Sequence, residues 1–305
     1  MEEYSGRVEE NIPQGLRLDR YVAEYLGLLS RSQIKAKNLT ARINGKDVKI
    51  SRRVKTGDLL ELSWTEAEPP RLLPENLPLD ILYEDDRVVV INKAQGMVVH
   101  PGAGNPSGTL ANALLFRRLE RGGAGEGFRP GIAHRLDKDT SGVIIAAYDD
   151  AALAFLAEQF KARKTRKIYA ALVIGAPPEP EGLIETFIAR DSRDRKKFAV
   201  SPDTGKAART QYRVVRAWKG YSLLKLKPWT GRTHQLRVHL KHLGCPILGD
   251  PLYGKPDVRF PQATLMLHAK SLSLTIPRPS GPAAAAFSTP FPERFRQLLS
   301  GLNSD

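Results

Sequence analysis

Apolar positions near the start of the chain recur at helical spacing. Leu18, Val22 and Tyr25 share one face of the run 16–26, which predicts an amphipathic helix with Gly27 as its stop. Ser30 is placed to cap a short second helix over 31–38. Beyond it, Ala41 to Ile43 and Lys46 to Val48 flank Asn44-Gly45, a strong hairpin signal. A turn at Thr56-Gly57-Asp58 leads into a third strand, Leu59 to Leu62. Residues before Leu16 are acidic and carry little pattern, so 1–15 reads as a tail and 16–65 as a small domain. At about 50 residues it is near the lower limit for independent stability.

The pattern then breaks. Between Glu66 and Pro78 there are four prolines in 13 residues and no periodicity, which predicts a stiff, extended linker. In 79–305, strands are expected at Leu79 to Tyr83 and Arg87 to Asn92, and a helix over Leu110 to Glu120 capped by the ordered loop 102–109. The glycine-rich tip 122–127 reads as a mobile loop. Val143 to Ala147 is a continuous apolar run, the pattern of a strand buried beneath its neighbours. Asp149 or Asp150 caps a helix through Phe160, and further strands are expected at Ile168 to Ile174, Leu183 to Ala189, Tyr212 to Ala217, Tyr221 to Leu226 and Leu272 to Ile276. Leu236, Leu240 and Leu243 define a helix that starts at Thr233 as its N-cap and stops at Gly244; a terminal helix covers Glu293 to Leu299. Many strands, few helices and no regular βαβ alternation predict an α+β domain on a mixed or mainly antiparallel sheet with flanking helices.

Composition narrows the chemistry. The 305 residues hold 47 Lys+Arg against 33 Asp+Glu, a formal charge of +14, so a polyanion, above all nucleic acid, is the expected partner. The charge is clustered. Nine basic residues lie between Arg31 and Lys55, among them Lys35 and Lys37, against the single Asp47. Five more, Lys161, Arg163, Lys164, Arg166 and Lys167, fall within seven positions. Either cluster is a phosphate-contacting face or, more plainly, a solvated one. No apolar run approaches the roughly 20 residues of a membrane span, and the start lacks the regions of a signal peptide, so a cytoplasmic monomer is expected. The lone Cys245 excludes a disulfide framework and a cysteine-rich zinc site. His234 and His239, five apart, lie about 140° apart around a helix and lack the Glu of a metalloprotease motif, so no metal is expected. The glycine-rich loop 102–109 lacks the Gly-Lys-Ser/Thr of a phosphate cradle, and no cofactor motif appears elsewhere.

What remains is an aspartate, a tyrosine and two arginines at the ends of elements. Arg135 and Asp137 stand in the turn-like run His134 to Gly142, just before the buried strand. Tyr169 begins a strand beside the second basic cluster, and Arg232 stands at a helix entrance. An arginine beside a carboxylate keeps it ionised, ready to act as nucleophile or proton acceptor without a cofactor. The plainer readings are an ion pair that ties down a loop and a core tyrosine. Chemistry on a base of structured RNA requires that the nucleotide leave the stack, and an arginine can fill the space it vacates.

Two resemblances join these features. Arg17-Leu18-Asp19, Ser30-Arg31-Ser32, Ile43-Asn44-Gly45-Lys46 and Gly57-Asp58 resemble the S4 RNA-binding domain, which implies shape-based recognition of structured RNA, with Arg31, Lys35 and Lys37 as phosphate contacts. His134-Arg135-Leu136-Asp137-Lys138-Asp139-Thr140-Ser141-Gly142, Lys167-Ile168-Tyr169 and Gly231-Arg232-Thr233-His234-Gln235-Leu236-Arg237-Val238-His239 resemble the three signatures of RluA-type pseudouridine synthases. The resemblance covers nearly all of 16–299 and is nearest the RluD/RluC-like branch acting on large-subunit ribosomal RNA. It implies Asp137 as nucleophile and Tyr169 packed on the target base, a candidate acceptor for the C5 proton. Arg232 would pair with Asp137 and Arg135 would enter the RNA helix; the charge of the second basic cluster, apart from the resemblance, makes Arg163, Lys164 and Lys167 candidate phosphate contacts. Two stretches depart from the pattern, the Gly-rich insertion 120–128 and the irregular Pro/Ala stretch 276–286. The alternatives are a non-enzymatic RNA-binding or ribosome-assembly protein, and the same activity on transfer RNA.

Overall fold

The computed structural model describes residues 1–65, 72–102, 104–123, 130–194, 196–278 and 280–303. The chain divides into two compact units, 1–71 and 72–305.

The first unit contains β1 (Glu2–Arg7), α1 (Leu18–Glu24), α2 (Arg31–Ala36), β2 (Thr40–Ile43), β3 (Lys46–Val48) and β4 (Leu59–Trp64). Its strands form an antiparallel sheet in the order β1-β4-β2-β3. Leu18, Tyr21, Val22, Ile34 and Leu60 make its core. The Ser30 hydroxyl accepts the Gln33 amide at 3.3 Å while the Gln33 side chain accepts the Ser30 amide at 2.8 Å, a reciprocal cap that starts α2. Asn44 and Gly45, at φ 52° and 73°, turn the β2–β3 hairpin. The expected tail 1–15 is corrected: Glu2–Arg7 pairs along the whole of β4, and the Trp64 indole donates to Glu2 Oε2 at 2.6 Å. An edge strand is held by backbone pairing, so its side chains need no apolar alternation to betray it.

The second unit contains β5 (Ile81–Glu84), β6 (Val88–Lys93), α3 (Leu110–Glu120), β7 (Gly131–Ile132), β8 (Ser141–Ala147), α4 (Asp150–Lys161), β9 (Arg166–Ile174), β10 (Glu181–Arg190), β11 (Phe198–Ser201), β12 (Lys206–Trp218), β13 (Tyr221–Pro228), α5 (Gln235–His242), β14 (Leu267–Ile276), β15 (Ala283–Ser288) and α6 (Glu293–Asn303). The strands form one eleven-stranded sheet, β11-β10-β12-β13-β9-β14-β8-β6-β5, with β15 on β14 and β7 on β8. All its ladders are antiparallel except β14–β8. The apolar run in β8 is buried on both faces. Val143 and Ile145 pack in a cluster with Ala152 and Leu156 of α4, whereas Ile144 and Ala146 pack in one with Leu110 and Leu114 of α3. Asp149 caps α4 by accepting the Ala152 amide at 2.7 Å.

Several expectations shift. Within the linker 66–78, residues 66–71 lie outside the described residues. The rest is tied down: Leu73 O accepts from the Asn112 amide group at 2.8 Å, and Glu75 accepts the Gly108 amide at 3.1 Å. The stretch 276–286 is not irregular throughout, because Ala283–Ser288 forms β15 against β14. Most of the tip 122–127 lies outside the described residues. The strand expected over Leu272 to Ile276 begins earlier, at Leu267, and carries buried His268, whose Nδ1 lies 2.8 Å from the Ser141 hydroxyl. That same serine hydroxyl accepts from Arg294 of α6 at 2.7 Å, which fastens the terminal helix beneath the motif containing Asp137.

Gly142 belongs to β8 rather than to the preceding loop. It sits at φ +115°, where a Cβ would lie 2.2 Å from the Ala269 carbonyl oxygen of β14. The parallel pair β14–β8 depends on this close backbone approach. Gly142→Ala is expected to destabilise the protein by about 2–4 kcal/mol, from a strained φ plus a backbone clash. Urea unfolding of variant and wild type measures the difference.

Candidate active site

The connection from β7 to β8 places Asp137 at the edge of a cleft of about 540 Å³, bordered by β9, the β13–α5 loop and the end of α4. Its neighbours are fixed from below. Leu136 is buried in the core beside β8. His134 Nε2 accepts the Ile145 amide at 3.1 Å, and its ring stacks on Phe160 at 4.5 Å. An accepting Nε2 carries no proton. Burial agrees, pushing the His134 pKa down to about 3, with Lys167 adding to the effect. His134 is thus an anchor that stays neutral.

A residue without an assigned role in the sequence reading holds the other side of the turn. Lys93, at the end of β6, is fully buried. Its ammonium donates to the carbonyls of Ala94 (2.9 Å), Met97 (2.8 Å) and Lys138 (3.0 Å). Burial pulls its pKa down to about 7 against the opposing charges of Asp139 and Asp137. Three donors for three carbonyls require the protonated form. The sequence signal was a lysine ending an apolar strand just before a glycine turn.

The partner of Asp137 is corrected. Arg237 of α5, not Arg232, lies against it, with Nη1 3.6 Å from Asp137 Oδ2. Arg237 is 4% exposed and Asp137 21%. The remaining guanidinium edge clasps Asp250 in a bidentate pair, Nε to Oδ2 at 2.8 Å and Nη2 to Oδ1 at 2.7 Å. Asp250, with a fully buried side chain, also accepts the amides of Leu252 (2.9 Å) and Tyr253 (3.0 Å). Burial alone would raise its carboxyl; the hydrogen bonds and charge of Arg237, aided by those amides, hold it below the usual carboxylate range. The turn 249–254 supplies this second carboxylate.

Arg232 lines the same cleft, but its Nε donates to Ala207 O at 2.9 Å, and no ion pair to a carboxylate is seen for it among the described residues. Its backbone amide donates to Gln235 Oε1 at 3.0 Å. Gln235 also accepts from the Thr230 hydroxyl (2.7 Å) and donates to Arg209 O (3.1 Å), so one amide side chain knots the β13–α5 loop. The helix cap is His234 rather than Thr233. It sits in the left-handed region at φ 56°, its Nδ1 2.8 Å from the Tyr253 hydroxyl. His239 is a core residue between Thr210 (2.9 Å) and Thr186 (3.0 Å), and burial lowers its pKa to about 4. Among the described residues, no group of histidine, cysteine and carboxylate side chains is arranged to hold a metal ion.

Tyr169 of β9 lines the cleft opposite. Burial, reinforced by the charge of Asp137, raises its phenol well above the ordinary value, so it stays protonated at neutral pH. Arg135, exposed, and Arg163 and Lys167 also line the cleft. Lys164 does not; it borders a separate groove with Arg166 and Thr275. In the first unit, Arg31 reaches Asp19 at 3.4 Å and remains 60% exposed, Lys37 is half-buried, and the Lys35 side chain lies outside the described set.

Removing the buried cation gives a test with a defined pH window. Arg237→Met leaves Asp250 buried without its counter-charge, a loss expected to cost about 3–5 kcal/mol at pH 7. The folded pKa of Asp250 lies below its reference value of 3.8, so the pair's contribution is present above that pH and lost as pH falls through the folded value. Unfolding free energies measured between pH 7 and pH 3 should show the gap narrowing as pH falls, first as the variant's unpaired, buried Asp250 takes up a proton and then, below about pH 4, as the wild-type pair itself is lost.

Comparison with known proteins gives one answer. The sequence family described as RNA pseudouridylate synthase matches residues 87–242, a span that includes Asp137, Tyr169, Arg232 and Arg237. Ribosomal large subunit pseudouridine synthase D of Borreliella burgdorferi is 46% identical over 301 residues, covering 96% of this chain and 90% of its own. The protein of the same name from Xanthomonas campestris is 39% identical over 306 residues, covering 95% and 90%. The solved structure of human RNA pseudouridylate synthase domain containing 4 aligns with a TM-score of 0.60 at 29% identity, over 73% of this chain and 93% of its own. With an aspartate, an arginine and a tyrosine meeting in a basic cleft, the chain belongs to the RluA family of RNA pseudouridine synthases, isomerases whose substrate is RNA.

Proposed function

We propose that the chain converts uridines of large-subunit ribosomal RNA to pseudouridine, with Asp137 as the nucleophile. The reading rests chiefly on one observation: a single solvent-reached carboxylate, Asp137, stands in a cationic cleft with a buried arginine at 3.6 Å. A carboxylate so placed is aimed into the cleft, and as a nucleophile it needs no activating base. The names of the relatives from Borreliella burgdorferi and Xanthomonas campestris support the ribosomal substrate.

In the proposed reaction the N1–C1′ bond of uridine breaks, the uracil turns within the cleft, and a C5–C1′ bond forms. C5 loses its proton and N1 gains one, so the product is an isomer and no water is consumed. Arg237, with Nη1 3.6 Å from Oδ2, orients Asp137 toward the cleft. The ring of Tyr169 supports the extruded base. Its hydroxyl, protonated at rest, takes the C5 proton only as it gives its own proton to solvent, from which N1 is protonated, so protons balance. Arg135 occupies the space the uridine leaves, and Arg163 and Lys167 hold flanking phosphates. Arg232, not bound to Asp137, is available to a phosphate as well.

The first unit fits an S4-like RNA-binding module. Its basic set, including Arg31, Lys35 and Lys37, exceeds what its small core requires. No helix among the described residues is long and apolar enough to cross a membrane; a ribosomal RNA substrate supports a cytoplasmic location.

Tritium release from 5-tritiated uridine tests the reading. Wild-type protein is expected to release tritium from unmodified large-subunit ribosomal RNA. Asp137→Asn should release none, a loss of at least about 10⁴-fold, while binding the RNA within about 2-fold of wild type. Turnover by the variant would remove Asp137 from its role, and release from transfer RNA alone would replace the substrate.

A further inference from the structure

Beside the cleft the surface carries an aromatic and cationic track that the isomerisation itself does not use. Trp229, at the mouth of the cleft, is 43% exposed. Lys227 Nζ lies 4.7 Å from its ring centre and the Arg209 guanidinium 5.0 Å. The backbone under it is rigid. The Trp229 amide donates to Arg209 O at 2.9 Å, and the Arg209 amide donates to the Thr230 hydroxyl at 2.9 Å, which itself donates to Gln235 at the start of α5.

Next to the cleft runs a second groove of about 570 Å³. The two share Arg163 and Thr230, and the second carries Arg209 and Phe187, another exposed aromatic at 42%. Its acidic side chain, Glu185, is paired with Arg209 at 3.1 Å and so presents little free negative charge. An indole and a phenyl ring open to solvent, interleaved with arginine and lysine and continuous with a catalytic cleft, match unpaired nucleotides. Each ring offers a face for a base, and the cations take the phosphates between. Because the track is continuous with a cleft that takes RNA, sharing Arg163 and Thr230 with it, a nucleic-acid strand is the occupant the geometry favours.

We propose that the nucleotides flanking the target uridine on one side are bound as a single strand along this track, stacking first on Trp229 and then on Phe187. The proposal rests on the RNA-modifying reading of the cleft and adds to it that the substrate is unpaired on that side of the target. Recognition by stacking tolerates any base, so the track would set the local RNA structure accepted rather than its sequence.

The test uses the full-length protein and two strands of equal length, single-stranded oligouridine and the same backbone with abasic sites. Emission of Trp229, taken as wild type minus Trp229→Phe, is followed as each strand is added. Oligouridine is expected to quench it and the abasic strand is not. Stacking of this kind is worth about 1–3 kcal/mol per base, so Trp229→Ala and Phe187→Ala should each weaken oligouridine binding about 5- to 150-fold and leave binding of the abasic strand unchanged. Equal quenching by both strands, or equal loss of affinity for both in the variants, would overturn the track and reduce it to a general phosphate-attracting surface. Urea midpoints of the variants guard against misfolding. Tritium release by wild type on ribosomal RNA separates the two failures: release without base-dependent quenching defeats the track alone, whereas quenching without release defeats the assigned substrate.

Discussion

One buried guanidinium organises the catalytic unit. Arg237 sits between two carboxylates that differ in what else they hold. Asp250 has a fully buried side chain and is satisfied by two guanidinium nitrogens and two backbone amides, so it draws the arginine into a fixed plane. The third nitrogen is left for Asp137, at the longer distance of 3.6 Å and on the cleft side. A charge removed from water is costly unless paired, and here the inner aspartate meets that cost. The outer aspartate can then face substrate with a cation behind it.

The turn bearing Asp137 is rigid for a different reason. Lys93 binds the carbonyl of the residue after it, His134 binds the strand amide of Ile145, and Leu136 enters the core. These contacts lie on the side facing away from solvent, while Arg135 stays exposed. The arrangement separates a fixed carboxylate from an exposed arginine two residues before it. Preorganisation of this kind is what a cofactor-free isomerisation demands, because little besides positioning and charge is available to lower its barrier.

The sequence disclosed the parts whose physics is local. Ser30, Asn44-Gly45, Asp149 and the apolar run in β8 act through neighbours in the chain, and each element formed close to where the pattern placed it. The edge strand β1 was hidden because its pairing lies in the backbone, and β15 because four alanines between prolines and serine carry no alternation. Within the site, motif spacing brought out Asp137, Tyr169 and Arg232, yet two arginines in one nine-residue motif are equivalent candidates until the helix is oriented. The left-handed His234 starts α5 one residue late and turns Arg237 inward, toward an acidic turn thirteen residues away. No local rule connects that turn to Asp137.

The central claim is that Arg237, oriented by Asp250, prepares Asp137, and that Arg232 does not. Single-turnover rates of pseudouridine formation at saturating enzyme, for Arg237→Lys beside Arg232→Lys, test it most directly. Lysine keeps the charge but cannot span both carboxylates. Arg237→Lys is expected to slow the chemical step by about 10²–10³-fold, the scale of losing a preorganised charge contact, whereas Arg232→Lys should weaken RNA affinity and leave the saturated rate within about 10-fold. A collapse of the rate in Arg232→Lys, with Arg237→Lys turning over as wild type does, would contradict it.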